Sequence, residues 1–194
     1  MKKADTKLQI LLILLSVMAV LSSFIGGYLY YTSLTRYSLE QVHKDAAEQL
    51  KGIGNDIDSY LNWSLFSVKS LAGLKELNQS LLNGDANIPE TNAVLKQFRN
   101  DLKVSVCYLM DRSGKTIASS NVDAANSFVG KNYGFRPYFI QAMEGKPGLY
   151  MGVGVTSKQR GIYYSHPVYA KGEETPSGVA VIKAPIEPIE KNFQ

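Results

Sequence analysis

The sequence predicts an α+β fold in which an antiparallel sheet of about five strands carries helices before it and between its second and third strands. Apolar residues recur every three or four positions from Leu39 to Leu74, which is the helical period. Beyond Lys103 the pattern changes to short runs rich in Val, Ile, Thr and Tyr, separated by turns rich in Gly, Lys, Ser and Pro. The hydrophobic fraction of 45% and the charged fraction of 20% are typical of a folded domain.

The first predicted element is an uncharged stretch from Leu8 to Tyr31. About 20 apolar residues are enough to cross the hydrocarbon core of a bilayer. A cleaved signal peptide has a shorter apolar core and a small-residue cleavage site, whereas this stretch ends in aromatic residues. We therefore expect an uncleaved transmembrane anchor, and Lys2, Lys3 and Lys7 before it predict a cytoplasmic N-terminus.

The sequence divides into three predicted parts. Residues 1–31 form a cytoplasmic tip and anchor, residues 32–83 form a long amphipathic helix that leaves the membrane, and residues 84–194 form a ligand-binding domain. The apolar stripe of the long helix suits two arrangements. It can pack on the domain that it supports, or it can pair with the same helix of a second chain in a homodimer. Both interpretations stay open.

The third part contains the predicted sheet. Pro89 followed by Glu90 is typical of the first turn of a helix. The further expected elements are strands at 104–110 and 116–120, a short helix from Arg136 to Glu144, and strands at 148–156, 161–169 and 178–184.

Several function classes are excluded by composition. Cys107 is the only cysteine, so it cannot form an internal disulfide, and its apolar surroundings predict a buried strand position. With two histidines and this one cysteine, the chain offers no metal cluster and no catalytic motif. The formal net charge of +4 is not gathered into a basic stripe, which argues against nucleic acid. We predict no enzyme activity, no metal and no cofactor.

Five segments of the chain resemble the double Cache (PAS-like) sensor domains of the DctB-type four-carbon dicarboxylate sensor histidine kinases. The resemblance covers about residues 35–194, in order and with family-like spacing. The most specific segment is SFVGKNYGFRPYF, which begins at Ser127. The other segments are YLMDRSGKTIASS at 108–120, GVGVTS at 152–157, GIYYSHPV at 161–168 and GVAVIK at 178–183.

The resemblance implies a site for a small carboxylate. It implies that Tyr133 and Arg136 bind one carboxylate, and that Thr156, Ser165 and Lys183 on neighbouring strands meet the other end of the ligand. The residue types suit this role, because the planar guanidinium of Arg grips both carboxylate oxygens and keeps its charge. Free N–H groups at the predicted helix start beside Arg136 would also favour an anion.

The function implied is the extracytoplasmic ligand-sensing portion of a bacterial transmembrane receptor, with the soluble domain periplasmic or extracellular and the anchor in the inner membrane. A two-component histidine kinase, a diguanylate cyclase and a chemoreceptor are alternative complete receptors, and an interaction module without a ligand is a further alternative. The family continues with a second PAS-like lobe, another span and a transmitter, so we expect either a fragment or a receptor truncated after the membrane-distal lobe. Asp123 is the nearest candidate partner for an amino-acid ammonium group, and we favour an organic acid.

Overall fold

A computed structural model describes residues 2–83 and 87–186. Its contacts divide the chain into two compact units, Met1–Gly54 and Asn55–Gln194. The predicted α+β class, with its N-terminal helix and antiparallel sheet, is confirmed. The division of the chain at residues 31 and 83 stays a prediction.

The first unit is helical. Helix α1 (Lys2–Ala72) begins here, and the side chains from Gln9 to Tyr31 are exposed and almost entirely apolar. In the part of the chain that the structure describes, this is the one helix long and apolar enough to cross a membrane, judged by length and composition. The predicted anchor segment lies within it.

Among the described residues, four helices belong wholly or partly to the second unit: the end of α1, then α2 (Lys75–Asn83), α3 (Ile88–Leu102) and the short α4 (Pro137–Met143). The helix predicted to continue to residue 83 is interrupted at Gly73 and Leu74, because glycine is a weak helix former. Helix α3 has proline in its first turn, as predicted, and ends at Lys103, whose left-handed backbone (φ 53°) lets its N–H donate to the last carbonyls.

The sheet has five antiparallel strands in the order β2-β1-β5-β4-β3. The strands are β1 (Val106–Asp111), β2 (Thr116–Ser119), β3 (Gly148–Val153), β4 (Arg160–Val168) and β5 (Gly178–Ala184). Helix α4 (Pro137–Met143) lies between β2 and β3 in the chain. Each predicted strand is present, with ends that differ by at most three residues. The largest difference is in β3, which stops at Val153 and not at 156.

Alternation along the strands separates two faces of the sheet. The aliphatic face packs against α1, α2 and α3, and its strand residues include Cys107, Leu109, Ile162, Tyr164, Ala180 and Ile182. The tyrosine face packs against α4, and its strand residues include Val106, Tyr108, Met110, Tyr163, Val179 and Val181. Because neighbouring residues point to opposite sides of a sheet, the same strands build both faces. The predicted burial of Cys107 is confirmed.

Candidate functional site

A small cavity lies on the tyrosine face beneath the turn that joins β3 to β4. Its volume is about 10 Å³, which is the room that about one water molecule needs. The walls combine an arginine with aromatic rings and the turn, and they comprise Tyr108, Phe128, Tyr133, Arg136, Tyr138, Tyr163 and residues 154–156.

A larger open groove of about 670 Å³ lies beside the β1–β2 turn and the end of α2. None of the five predicted ligand residues lines it. Its charged groups include Arg112 and Glu173, which form an ion pair with each other. The cavity on the tyrosine face is the stronger candidate, although it is far smaller, because three of the predicted residues (Tyr133, Arg136 and Thr156) line it. Lys183 does not line the cavity and lies next to it, bonded to Ser157 of the same turn.

Tyrosines form the floor of the cavity. The hydroxyls of Tyr108 and Tyr138 share a hydrogen bond of 2.8 Å, and the rings of Tyr138 and Tyr163 stack with centroids 5.1 Å apart. Burial raises the pKa of Tyr108 well above its ordinary value and also raises the pKa of Tyr138 and Tyr163. These phenols are therefore neutral at ordinary pH, so the floor supplies hydroxyl groups and apolar surface without negative charge.

Arg136 caps the N-terminus of α4 and is 8% exposed. One guanidinium nitrogen donates to the carbonyl of Val153 at 2.9 Å, and the guanidinium carbon lies 5.6 Å from the ring centroid of Tyr150. The contact with the end of β3 holds the charged group beside the cavity. Because the guanidinium carries further N–H donors, it can also bind a carboxylate.

The start of α4 offers less to an anion than the sequence predicts. Pro137 has no N–H, and the amides of Phe139 and Ile140 both donate to the carbonyl of Arg136. The guanidinium, and not the backbone of this short helix, is therefore the principal group for an anion here.

Tyr133 and Thr156 contact each other directly. Their hydroxyls share a hydrogen bond of 2.7 Å, and burial raises the pKa of Tyr133. The prediction that Thr156 lies on a strand is wrong, because β3 ends at Val153 and the chain has already entered the β3–β4 turn. Thr156 reaches the cavity from this turn and not from the sheet.

Lys183 is 1% exposed and lies on β5, two residues after Val181. Its ammonium donates to Ser157 Oγ at 2.7 Å and lies 5.8 Å from the ring centroid of Tyr163. The neighbouring strand makes room for the long side chain at Gly161, where a Cβ atom would lie 2.7 Å from Lys183 Cε. The lysine therefore passes beneath the same turn that carries Thr156.

Ser165 occupies a different position from the other predicted residues. It is fully buried on β4, and its Oγ donates to the carbonyl of Tyr138 at 2.7 Å. It does not line the cavity. The structure thus brings Tyr133, Arg136, Thr156 and Lys183 to the turn at the end of β3, whereas Ser165 joins α4 to the sheet.

Sequence reasoning missed Ser157 and the tyrosines of the floor. Alternation could have placed Tyr108 and Tyr163 on the face of Lys183, because each is opposite or diagonal to it across paired strands. The contact between Ser157 and Lys183 has no comparable signal, since it depends on how the turn folds back over β5.

Two curated proteins resemble this chain in sequence over more than half of its length. The C4-dicarboxylate transport sensor protein DctB of Pseudomonas aeruginosa is 37% identical over 123 residues, and that of Rhizobium meliloti is 33% identical over 125 residues. These matches cover 62% and 64% of this chain, and the chain spans 20% of the length of each relative. No family model matches the sequence.

A solved structure matches the fold as well as the sequence. The sensor domain of the V. cholerae histidine kinase DctB superposes with a TM-score of 0.71 at 35% identity, over 78% of this chain and 58% of that chain. The matched part of that protein is a sensor region and not a catalytic domain. The predicted resemblance to the DctB-type sensor domains is therefore confirmed in both sequence and fold.

Proposed function

We propose that this domain is the extracytoplasmic sensor of a bacterial membrane receptor and that its cavity binds a four-carbon dicarboxylate. The observation that carries the proposal is the burial of two cationic side chains, Arg136 and Lys183, on one face of the sheet beneath one turn. A ligand with two carboxylates would supply one anion to each cation.

The polarity of the walls supports an acid over an amino acid. Among the described residues that line the cavity, none is acidic. Asp123, the predicted alternative partner for an ammonium group, is 80% exposed in its side chain and pairs with Lys96 at 2.6 Å. An amino-acid ligand would therefore bring its ammonium group to a wall that holds the cationic Arg136 and neutral phenols, where it is disfavoured.

The names of the relatives support the same ligand class and a wider role. Two are C4-dicarboxylate transport sensors and the solved domain belongs to a histidine kinase. We propose a two-component histidine kinase as the complete receptor, with α1 spanning the inner membrane and the sensor domain in the periplasm. A homodimer formed through α1 is part of the proposal, and cysteine crosslinking along that helix tests it.

A thermal-shift experiment tests the ligand. The full chain in detergent micelles is heated with succinate and, as a matched control, with butyrate, which has the same number of carbons and one carboxylate. A ligand at a hundredfold excess over its Kd adds about 2.7 kcal/mol to the free energy of unfolding. We expect a rise in Tm with succinate and a much smaller rise with butyrate. Equal shifts, or none with any dicarboxylate, would contradict the proposal and favour the interaction module.

A further inference from the structure

The turn between β3 and β4 closes the cavity. Residues 154–159 form it, and its backbone is held by hydrogen bonds from Gly154 N to Gln159 O (3.0 Å) and from Lys158 N to Gly154 O (2.9 Å). Lys158 has a left-handed backbone (φ 56°), which is uncommon for a residue with a side chain. The turn folds tightly over the site, since a Cβ atom on Gly154 would lie 2.3 Å from Ser157 Oγ and 2.7 Å from the Tyr163 hydroxyl.

Each of the proposed ligand donors is already bonded to this turn or to the residue before it. Tyr133 bonds to Thr156, Arg136 donates to the carbonyl of Val153, and Lys183 donates to the hydroxyl of Ser157. The guanidinium and the ammonium carry further N–H donors, so a carboxylate replaces these bonds where it takes the place that the turn now occupies. Ligand binding and closure of the turn by its own polar groups therefore compete.

The available space makes movement of the turn necessary. The cavity of about 10 Å³ holds about one water molecule, which is much less than a four-carbon dicarboxylate needs. Moving the tyrosines of the floor would cost packing energy, because Tyr108 and Tyr138 are buried in the core of this face. The β3–β4 turn is the wall that can move, since among the described strands β3 lies at the edge of the sheet and is paired only with β4.

We propose that the β3–β4 turn is a gate over the cavity and that Ser157 is its latch, a residue that holds Lys183 when the gate is closed and releases it to the ligand. This inference rests on the proposed function of the cavity. When only the open fraction of the protein can bind, the apparent Kd equals the intrinsic Kd divided by that fraction. Removing the latch raises the open fraction, so it strengthens binding although it deletes a polar group from the site.

The test compares Ser157→Ala with the unchanged protein, using the full chain in detergent and succinate as the probe. The loss of one hydrogen bond to a charged donor predicts a Kd that is about tenfold lower and a faster association rate. Ser157→Thr, which keeps the hydroxyl, is expected to restore the original Kd. Ser177→Ala is the matched control, because Ser177 Oγ also bonds within a turn, between β4 and β5, but lines no part of the cavity.

A second measurement needs no ligand. Hydrogen–deuterium exchange of a peptide that spans residues 154–159 is expected to be faster in Ser157→Ala than in the unchanged protein or in Ser177→Ala. Unchanged exchange would overturn the latch whatever the ligand is. If the unchanged protein binds succinate and Ser157→Ala binds it equally or more weakly, Ser157 is not a latch. If the unchanged protein binds no dicarboxylate, the proposed function fails, and the exchange result alone decides whether Ser157 holds the turn.

Discussion

The two faces of the sheet are built from the same strands but differ in their chemistry. The aliphatic face is covered by three helices and packs mainly hydrocarbon side chains. The tyrosine face is covered by the seven-residue α4 and the β3–β4 turn, and it buries hydroxyls, a guanidinium and an ammonium group. Hydrocarbon burial stabilises a fold without demanding partners, whereas buried polar groups each need one. The comparison places most of the hydrocarbon packing on one face and the proposed binding site on the other.

The largest effect is expected on the aliphatic face. Leu109 is fully buried there, so Leu109→Ala should lower the free energy of unfolding by about 2–5 kcal/mol through lost contacts and a cavity. Leu149→Ala removes the same atoms from a side chain that is 45% exposed on β3, and we expect about 0.5 kcal/mol or less. Urea unfolding followed by circular dichroism measures both. Similar losses for the two variants would contradict the assignment of stability to this face.

On the tyrosine face, the expected effect is on binding. Arg136→Ala removes the guanidinium proposed to grip a carboxylate, and we expect the Kd for succinate to rise about 100-fold, equivalent to about 2.7 kcal/mol. Isothermal titration calorimetry measures it. Arg99→Ala is the matched control, because Arg99 lies on α3 and bonds to the carbonyl of Ser120 away from the cavity. If Arg99→Ala weakened binding as much as Arg136→Ala, the cavity would not be the binding site.

The aliphatic face also predicts a pH dependence. Burial raises the pKa of Tyr164 from 10.0 to about 12. An unfolded tyrosine loses its proton near pH 10 while the folded one keeps it, so this contribution to stability is complete below pH 10 and is lost as the pH rises toward 12. We expect the free energy of unfolding to fall over that window and to fall less steeply in Tyr164→Phe. Denaturant titrations between pH 9 and 11 measure the slopes, and identical slopes would show that Tyr164 does not contribute.

The smallest effect is expected at Ser165, where the Kd tells whether the residue positions α4 or contacts the ligand. Ser165→Ala removes the hydrogen bond to the Tyr138 carbonyl, and we expect a loss of about 1 kcal/mol in the free energy of unfolding. The Kd for succinate should change by about twofold or less, because the side chain does not line the cavity. Calorimetry on the same preparation decides between the roles. A Kd that is tenfold higher would show that Ser165 contacts the ligand, as the sequence predicts.

The elements of the fold could be predicted because their signals are local. Alternation located each strand to within three residues, and the proline at the start of α3 marked where that helix begins. The end of α1 before Gly73 was not predicted, because the helical apolar pattern continues through this glycine. Strand β3 shows what local signals leave out, because its start was predicted and its end was not. Gly148 was predicted correctly, but the run of apolar residues continues past Val153, where the chain turns, and only tertiary contacts reveal that turn.

The site could be predicted in part. Residue type and resemblance brought Tyr133, Arg136 and Lys183 to one region, and the structure places all three next to the same turn. The roles of hydroxyl groups could not be predicted, because a serine or threonine bonds to whichever acceptor the packing brings near. Thr156 was predicted on a strand but lies in the turn, and Ser165 was predicted to contact the ligand but bonds to the carbonyl of Tyr138.

The alternation of β5 has a consequence for how such a domain changes over generations. Ile182 belongs to the core and Lys183 to the binding face, although they are adjacent in the chain. A point substitution at Lys183 can therefore alter the proposed ligand binding without changing the aliphatic face. A one-residue insertion or deletion does the opposite, because it exchanges the two faces at once and sends the lysine into the hydrocarbon core. Lineages that diversify their ligands are thus expected to vary these strands by substitution and to confine length changes to the turns.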